Sequence, residues 1–344
     1  MVEKFLIGTY TKQTSKGVYE IELDTDNKKL KNLTFVAEAG SPTYVTLSKA
    51  GILYAIDKES NGDETTGGLM VYDANVRPAK LLQKVLSPGS SPAYVTVDED
   101  RQLVYTANYH TGIISVFKIV NEGKLELLDE VKHTGNGPRP EQQDGAHPHI
   151  AERTPEGRIV VCDLGNDTVT TYDWHNDQLS EAAQFNCEPG FGPRHIVFDE
   201  SRGLAYLVGE LSSNVSVLQY DQATGKFDLV ETKKTIPADW TAHNGAAAIR
   251  LSSDHKFLYV SNRGLNSIAV FAIDSAGRLT LLENISTEGD FPRDFNFNAD
   301  ERFLIVVNQN TNNATLYERD AQTGKLTVCQ KDFVVPEGVC VATE

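Results

Sequence analysis

The chain of 344 residues lacks the features that several large protein classes require. Its four cysteines (Cys162, Cys187, Cys329 and Cys340) are widely separated and form no C-x-x-C pair, so neither a disulfide framework nor a zinc knuckle is indicated. No segment approaches the roughly 18 consecutive apolar residues of a membrane-spanning helix, and the apolar run in MVEKFLIGTYTK is too short for a secretory signal. We therefore expect a cytoplasmic protein with reduced, mostly buried thiols.

Basic residues are also scarce. Lys and Arg number 32 against 48 Asp and Glu, which gives a net charge of −16, and no Lys/Arg-rich run interrupts the acidic surface. Such a surface repels phosphate backbones and anionic lipids, so we expect neither a nucleic-acid nor a membrane partner. Because G-x-S-x-G and glycine-rich phosphate-loop strings are absent, neither a serine hydrolase elbow nor a P-loop is indicated.

What the chain does contain is a repeated set of short β-type segments. The first segment of each unit follows a small residue or a proline and reads SPTYVTL, SPAYVTV, HPHIAER, GPRHIVF, AAAIRL and FPRDFNF. The second reads ILYAIDK, LVYTANY, IVVCDLG, LAYLVGE, FLYVSNR and FLIVVNQ, and a half-exposed third and a charged fourth segment follow. The residue after the usual proline position serves as a marker: Thr43, Ala93, His149, Arg194, Ala247, Arg293 and, weakly, Glu337.

The spacing of these markers identifies the architecture. Successive markers are 50, 56, 45, 53, 46 and 44 residues apart, and a period of about 40–50 residues with four strands is typical of a β-propeller blade. Six complete units span residues 41 to about 335, leaving three strand-like segments at the front and one, GVCVAT (338–343), at the back. We predict a single all-β domain over residues 1–344, a seven-bladed propeller of four-stranded blades closed by the C-terminal strand joining the N-terminal blade. Two segments, 134–146 and 61–68, are predicted to be loops, the first overhanging one face.

Equivalent positions of different blades converge on the axis of a propeller, so the repeat predicts a site. The marker column departs from small residues at His149, Arg194 and Arg293. A second column, at the end of the second segment, contains Lys58, Tyr109, Leu164, Glu210, Arg263 and Gln309, and the residues before these include Asn108 and Asn262. Several cations around one glutamate in an acidic protein indicate a pocket for a small anion. Alternatively, an Arg194–Glu210 ion pair simply satisfies charges in the channel, although the excess of arginine argues against this.

The ordered strings GTYT, SPxYVT (twice), HPH, DLGNDTV, GPRH, GEL, SNRG and PRDF resemble the propeller-type 6-phosphogluconolactonase, or lactonase β-propeller, family over essentially the whole chain. The resemblance implies a cofactor-free hydrolysis of 6-phosphoglucono-δ-lactone to 6-phosphogluconate in the pentose phosphate pathway. It also maps the family's His, Glu and Arg cluster onto His149, Glu210, Arg194, Arg263 and, less directly, Arg293.

Lactone opening needs a proton acceptor for the attacking water and donors for the developing oxyanion. We assign the base to His149 or Glu210, the oxyanion donor to Arg194 or Arg263, and the phosphate to the remaining arginines and Lys58. His149 is favoured as the base, because a glutamate flanked by arginines is held ionised and is a weaker base.

Neighbouring residues receive subsidiary roles. Asn108, Asn262 and Gln309 are candidate substrate ligands, although the asparagines are equally suited to stabilising turns, the interpretation we favour. His147 is expected to brace its loop, and His195 to point away from Arg194, since alternate residues of a strand face opposite sides.

Two other functions stay open. The first is a related enzyme acting on another anionic lactone, or performing a muconate-type cyclisation. The second is an interaction scaffold, although Trp174 and Trp240 follow an aspartate instead of preceding it as in WD repeats. HPH lacks a third ligand, so no metal is expected. The expected partner is a small anionic sugar lactone, and the expected state is a monomer or weak homo-oligomer.

Overall fold

The computed structural model describes residues 1–62 and 64–343, so Asp63 and Glu344 of the predicted segments lie outside the described residues. The described residues form 28 strands in seven antiparallel four-stranded sheets. The innermost strands of successive sheets contact one another in a closed circle, the last against the first. The predicted seven-bladed propeller is therefore confirmed.

The strands are numbered in chain order, and each sheet is one blade. Blade 1 contains β1 (Val2–Thr9), β2 (Gly17–Asp24), β3 (Lys29–Glu38) and β28 (Gly338–Thr343). Blade 2 contains β4 (Val45–Leu47), β5 (Ile52–Asn61), β6 (Glu64–Asp73) and β7 (Lys80–Pro88). Blade 3 contains β8 (Tyr94–Asp98), β9 (Leu103–Asn108), β10 (Ile113–Ile119) and β11 (Leu125–Lys132). Blade 4 contains β12 (Pro148–Arg153), β13 (Ile159–Asp163), β14 (Thr168–His175) and β15 (Gln178–Asn186).

The remaining blades repeat this order. Blade 5 contains β16 (Pro193–Asp199), β17 (Leu204–Gly209), β18 (Asn214–Asp221) and β19 (Lys226–Lys234). Blade 6 contains β20 (Gly245–Leu251), β21 (Phe257–Arg263), β22 (Ser267–Ile273) and β23 (Leu279–Ser286). Blade 7 contains β24 (Pro292–Phe297), β25 (Phe303–Asn308), β26 (Asn313–Arg319) and β27 (Leu326–Val334).

Helical structure within the described residues is limited to two 3₁₀ turns, Asn121–Gly123 and Pro140–Gln142. Neither turn has the length and apolarity needed to cross a membrane.

Blade 1 is assembled from both ends of the chain. β28 pairs with β1 in antiparallel register, with Phe5 opposite Thr343 and Ile7 opposite Val341. It thereby occupies an edge of β1 that would otherwise present unpaired N–H and C=O groups. The closing strand begins and ends where the sequence predicted it.

A repeated hydrogen bond joins neighbouring blades. In three of them the tyrosine of the second strand donates a hydrogen bond to a turn glycine of the next blade, the pairs being Tyr54 with Gly123 O (2.9 Å), Tyr206 with Gly277 O (3.1 Å) and Tyr259 with Gly324 O (2.7 Å). These glycines have φ between 71° and 80°, a conformation that other residues rarely adopt. Tyr105, the buried tyrosine of another second segment, instead donates to Asp98 Oδ2 at 2.8 Å.

The loop prediction for residues 61–68 was partly wrong. Residues 64–68 belong to β6, where Gly68 pairs with Asp57 on one side and with Leu86 on the other. Flanking strands on both sides therefore hold a glycine-rich segment in the sheet despite its low β-propensity. The segment 134–146, by contrast, does lie between β11 and β12 and contains the second 3₁₀ turn.

Candidate active site

One end of the axial channel opens into a cavity of about 380 Å³, within the usual range for small-molecule sites. Residues from the two predicted columns line it together with neighbouring loop residues: Tyr10, Lys12, Ser41, Thr43, Lys58, Ser90, Ser91, Pro92, Ala93, Tyr109, His110, His149, Glu210, Arg263 and Arg293. A smaller side cavity of about 200 Å³ shares Glu210 and Arg263 with it and is bordered by Arg139 and Glu141 of the 134–146 segment. Both columns therefore converge at this end.

The first column reaches the axis through β-bulges. In blades 4, 5 and 7 the strand pairing skips one residue immediately after the proline, and the skipped residues are His149, Arg194 and Arg293. A bulge leaves its extra residue unpaired and turns the local strand direction, which re-aims the side chain. The three ionisable residues of this column are thus the bulged residues of their innermost strands.

Glu210 is held between two arginines. Its Oε2 lies 2.9 Å from Arg194 Nε and 2.8 Å from Arg263 Nη2. Arg263 is fixed further by hydrogen bonds to the carbonyl oxygens of Gly245 and Ala246, each 3.2 Å long. A Cβ at Gly245 would lie only 3.0 Å from Arg263 Nη2, so glycine gives the guanidinium room.

These arginines decide the charge of Glu210. Burial alone raises the pKa of the carboxyl, but Arg263 and then Arg194 outweigh it and leave the pKa below its usual value. Glu210 is therefore an ionised, firmly paired carboxylate at neutral pH. This makes it a poor proton acceptor.

His149 is uncharged at neutral pH, and burial is the main cause. It is 3% exposed, and burial, reinforced by Arg194 and His195, lowers its pKa well below the usual range. Its Nδ1 is enclosed without a hydrogen-bond partner, and the residue lines the cavity. An uncharged imidazole nitrogen is therefore available as an acceptor at neutral pH.

His195 differs from its prediction. Its ring lies 5.1 Å from the ring of His149, and its Nε2 is 3.4 Å from Arg194 Nη1. The prediction that it points away from Arg194 was wrong, because the bulge at Arg194 breaks the simple alternation along β16. His195 instead packs against Tyr44 and Tyr94 and helps to fill the channel beneath the cavity.

His147 braces its loop as expected. Its ring stacks on Tyr109 at 4.2 Å, its Nδ1 lies 2.7 Å from the Tyr109 carbonyl oxygen, and its Nε2 lies 2.9 Å from Asp144 Oδ1. Both ring nitrogens are therefore engaged within the loop and with its neighbour.

Three cations at the mouth have no carboxylate partner. Among the residues that the structure describes, Lys12, Lys58 and Arg293 all line the cavity and form no ion pair. The Arg293 guanidinium carbon is 5.9 Å from the Tyr10 ring centre, and Lys12 Nζ is 4.2 Å from it. Arg293 is also the main cause of a lowered pKa for the Tyr10 phenol. The mouth therefore contains three cations that form no ion pair with the described residues.

Other predicted residues are not on the cavity wall. Arg194 is 3% exposed and meets the cavity only through Glu210. Asn262 is fully buried and donates to the Thr235 carbonyl oxygen at 2.9 Å, while Asn108 donates to the Ser90 carbonyl oxygen at 2.7 Å. Gln309 also lies outside the lining. These contacts fit the interpretation favoured from the sequence, in which the two asparagines stabilise turns, since their amides hold the connections between blades; their role as substrate ligands stays a prediction.

Sequence reasoning missed Tyr10 and Lys12. The segment KFLIGTY aligns with the second segments of the other units, which puts Tyr10 in the same column as Lys58, Tyr109, Glu210 and Arg263. Treating the front fragment as three strands of a split blade, and then extending the column to it, is the signal that identifies Tyr10.

A larger groove of about 1050 Å³ lies between blades 1 and 2, lined by Phe35, Met70, Tyr72 and Leu81 with Asp57 and Glu59. It gathers neither arginines nor histidines, so size alone does not make it the better candidate. Within residues 1–62 and 64–343, no group of three or more His, Cys, Asp or Glu side chains has the arrangement of a metal site.

Comparison with known proteins finds relatives over the whole length of the chain. The family model described as "Lactonase, 7-bladed beta-propeller" matches residues 4–343. A protein of Bacillus subtilis named 6-phosphogluconolactonase is 42% identical over 341 residues, covering 97% of this chain and 96% of its own. The crystal structure of a Lactobacillus plantarum protein has a TM-score of 0.96 at 53% identity, with full coverage of both chains. The structure of a periplasmic gluconolactonase from Pseudomonas aeruginosa has a TM-score of 0.90 at 28% identity, covering 99% of this chain and 98% of the other.

Proposed function

Because this chain belongs to the lactonase family of seven-bladed β-propellers, we propose that it is a 6-phosphogluconolactonase that hydrolyses 6-phosphoglucono-1,5-lactone to 6-phosphogluconate. The family relation supports lactone hydrolysis in general, and the name of the Bacillus subtilis relative supports this substrate. The observation that carries the phosphorylated substrate is the group of unpaired cations, Lys12, Lys58 and Arg293, beside the neutral His149 in a protein of net charge −16.

In this proposal the three cations hold the phosphate. A phosphate monoester has a charge of roughly −1.5 to −2 near pH 7, and Lys12, Lys58 and Arg293 offer three positive charges that form no ion pair with a carboxylate among the described residues. Arg293 supplies a planar pair of donors suited to a phosphate, while the lysines act as point charges. When the phosphate is bound at the mouth, the lactone ring lies toward His149 and Arg263.

His149 acts as the general base. A water molecule attacks C1 of the lactone, and His149 Nε2 accepts the proton that the water loses. The tetrahedral oxyanion then collapses, the bond between C1 and the ring oxygen breaks, and the imidazolium returns its proton to that oxygen, which becomes the C5 hydroxyl. The new carboxylic acid ionises and releases one proton to solvent, so atoms and charge balance.

Arg263 stabilises the oxyanion, and Arg194 has a supporting role. Arg263 lines the cavity and is anchored through Glu210 and two backbone carbonyls, so its donors are fixed before the reaction begins, as electrostatic catalysis requires. Arg194 orients Glu210 from behind the wall. Glu210 therefore positions Arg263 and is not the base in this proposal.

The direct test compares purified protein on two substrates. We expect much faster loss of 6-phosphoglucono-1,5-lactone than of glucono-1,5-lactone, after subtraction of spontaneous hydrolysis, with the difference residing in KM. Equal rates on both lactones favour a lactonase for another substrate. No acceleration of either, with turnover of a muconate or recovery of a stable protein partner, favours the alternative enzyme or the scaffold.

A cytoplasmic location and a place in the pentose phosphate pathway are part of the proposal, because a phosphorylated sugar does not cross membranes unaided. The Pseudomonas aeruginosa relative is described as periplasmic. Cell fractionation with an activity assay separates the two locations.

A further inference from the structure

The loop of residues 10–16, which joins β1 to β2, brings two side chains to the cavity. Tyr10 and Lys12 both line it, and Lys12 Nζ lies over the Tyr10 ring. The 10–16 loop contains no regular secondary structure. Its conformation must therefore be held by contacts made with other parts of the chain.

Those contacts converge on one carboxylate, that of Glu337. Its Oε1 accepts the backbone N–H groups of Lys12 (2.9 Å) and Gln13 (3.2 Å), and its Oε2 accepts those of Gln13 (3.0 Å), Thr14 (3.1 Å) and Ser15 (3.2 Å). Four consecutive N–H groups curled around an anion form a nest, which ordinarily binds a separate anion and here encloses one from the same chain. Hydrogen bonds to a charged acceptor are the stronger kind.

Glu337 is itself fixed in place. It is 4% exposed, its N–H donates to Asn312 Oδ1 at 2.8 Å, and its carbonyl oxygen accepts the Tyr10 N–H at 3.0 Å. It immediately precedes β28, the closing strand. The carboxylate is thus attached to the strand that completes blade 1.

We propose that Glu337 is a positioning residue for anion binding, which holds the 10–16 loop so that Lys12 and Tyr10 face the cavity. It touches neither the cavity nor the substrate and acts through the loop. The identity of the anion as a phosphorylated lactone rests on the proposed function, whereas the loop-holding role does not. The closing strand therefore contributes to substrate specificity as well as to closure of the ring.

The test uses Glu337→Gln with a matched control, Glu301→Gln. Glu301 also has a positive φ, 55° against 50° for Glu337, and both of its carboxylate oxygens accept a backbone N–H, that of Ser253. It lies in the turn after β24, at the end of that strand remote from Arg293. The amide in Glu337→Gln replaces one acceptor oxygen with a donor that faces N–H groups.

We expect Glu337→Gln to weaken binding of inorganic phosphate, measured by titration calorimetry, by about tenfold or more, and to raise KM for the phosphorylated lactone similarly. Its kcat, and its kinetics on glucono-1,5-lactone, should stay within about twofold of wild type. Amide hydrogen exchange at residues 12–15 should accelerate. Glu301→Gln should change none of these, and Glu337→Asp, which keeps the charge but shortens the reach, should be intermediate and serves as the test if Glu337→Gln does not fold.

The outcomes separate the two proposals. Faster exchange at residues 12–15 with unchanged phosphate affinity, an equal loss on both lactones, or the same loss in Glu301→Gln would overturn the role of Glu337. Absence of phosphate binding by the wild type would overturn it as well. If the wild type hydrolyses neither lactone but Glu337→Gln still loses phosphate affinity, the proposed function fails and the positioning role stands.

Discussion

At the scale of residues, burial and a few arginines set the charge states on which the chemistry depends. Burial lowers the pKa of His149, whereas Arg263 and Arg194 override burial at Glu210 and lower the pKa there too. Both groups are therefore unprotonated at neutral pH. They differ in that Glu210 is occupied by two ion pairs, whereas the Nδ1 of His149 has no hydrogen-bond partner.

Two variants distinguish the candidate bases. We expect His149→Asn to lower kcat/KM by about 10²–10⁴-fold, the usual contribution of a general base, and to abolish the loss of activity at acid pH. In the wild type, kcat/KM should be constant from about pH 6.5 to 8 and fall only below the usual histidine range, because the lowered pKa keeps the base unprotonated. Glu210→Gln should lose rate but retain the acid limb. The reverse assignment of the acid limb would identify Glu210 as the base.

His149 and His195 also make stability depend on pH. Burial lowers both pKa values well below the usual range, so the unfolded chain binds more protons than the folded one. Stability is complete above about pH 6.5 and is lost as the pH falls, by about 1.4 kcal/mol per histidine at pH 5.5. Burial raises the pKa of Glu152 to about 7, which acts in the opposite direction over the same range in every variant. Denaturant unfolding at pH 7.5 and 5.5 should therefore differ between the wild type and His149→Asn by the contribution of one histidine. His175→Asn, at an exposed position, should keep the wild-type dependence, and an unchanged dependence in His149→Asn would contradict the buried, neutral state.

At the scale of elements, the position of a bulge decides in which direction the side chains of a strand point. Alternation along β16 predicted opposite directions for Arg194 and His195, and the bulge brought them into contact. The repeat located the column, but a period of two residues could not anticipate a skipped pair. Sequence reasoning therefore predicted which residues converge on the cavity more accurately than the direction of each side chain.

The closing strand gives an element-scale prediction. Deleting residues from 338 onward should expose the edge of β1 and remove the cooperative thermal transition seen by circular dichroism, with aggregation on size-exclusion chromatography. A synthetic peptide of residues 336–343 should restore the transition when added to the truncated chain. The full-length chain should unfold in one transition, as the single domain predicted for residues 1–344 requires. An unchanged melting temperature after truncation would contradict the role of β28.

At the scale of the whole molecule, the architecture could be predicted from the sequence because the blades of a propeller repeat a common pattern. Seven near-equal units fix the blade number, the closure and the convergence of Lys58, Glu210 and Arg263 at one end of the axis. The contacts of Glu337 with residues 12–15 could not be predicted, since the repeat includes Glu337 only as its weakest marker and gives no information on N–H groups more than 300 residues away in sequence. The expected monomer or weak homo-oligomer stays a prediction.

Blade 1 combines β1, which the ribosome synthesises first, with β28, which it synthesises last. Between the completion of β1 at Thr9 and the start of β28 at Gly338, translation at about 5–20 residues per second takes roughly 15–70 s. Throughout that interval the backbone edge of β1 lacks the strand that pairs with it in the finished ring. The nascent chain therefore presents an unpaired strand edge until its last residues are made, the condition in which strand edges associate with other chains.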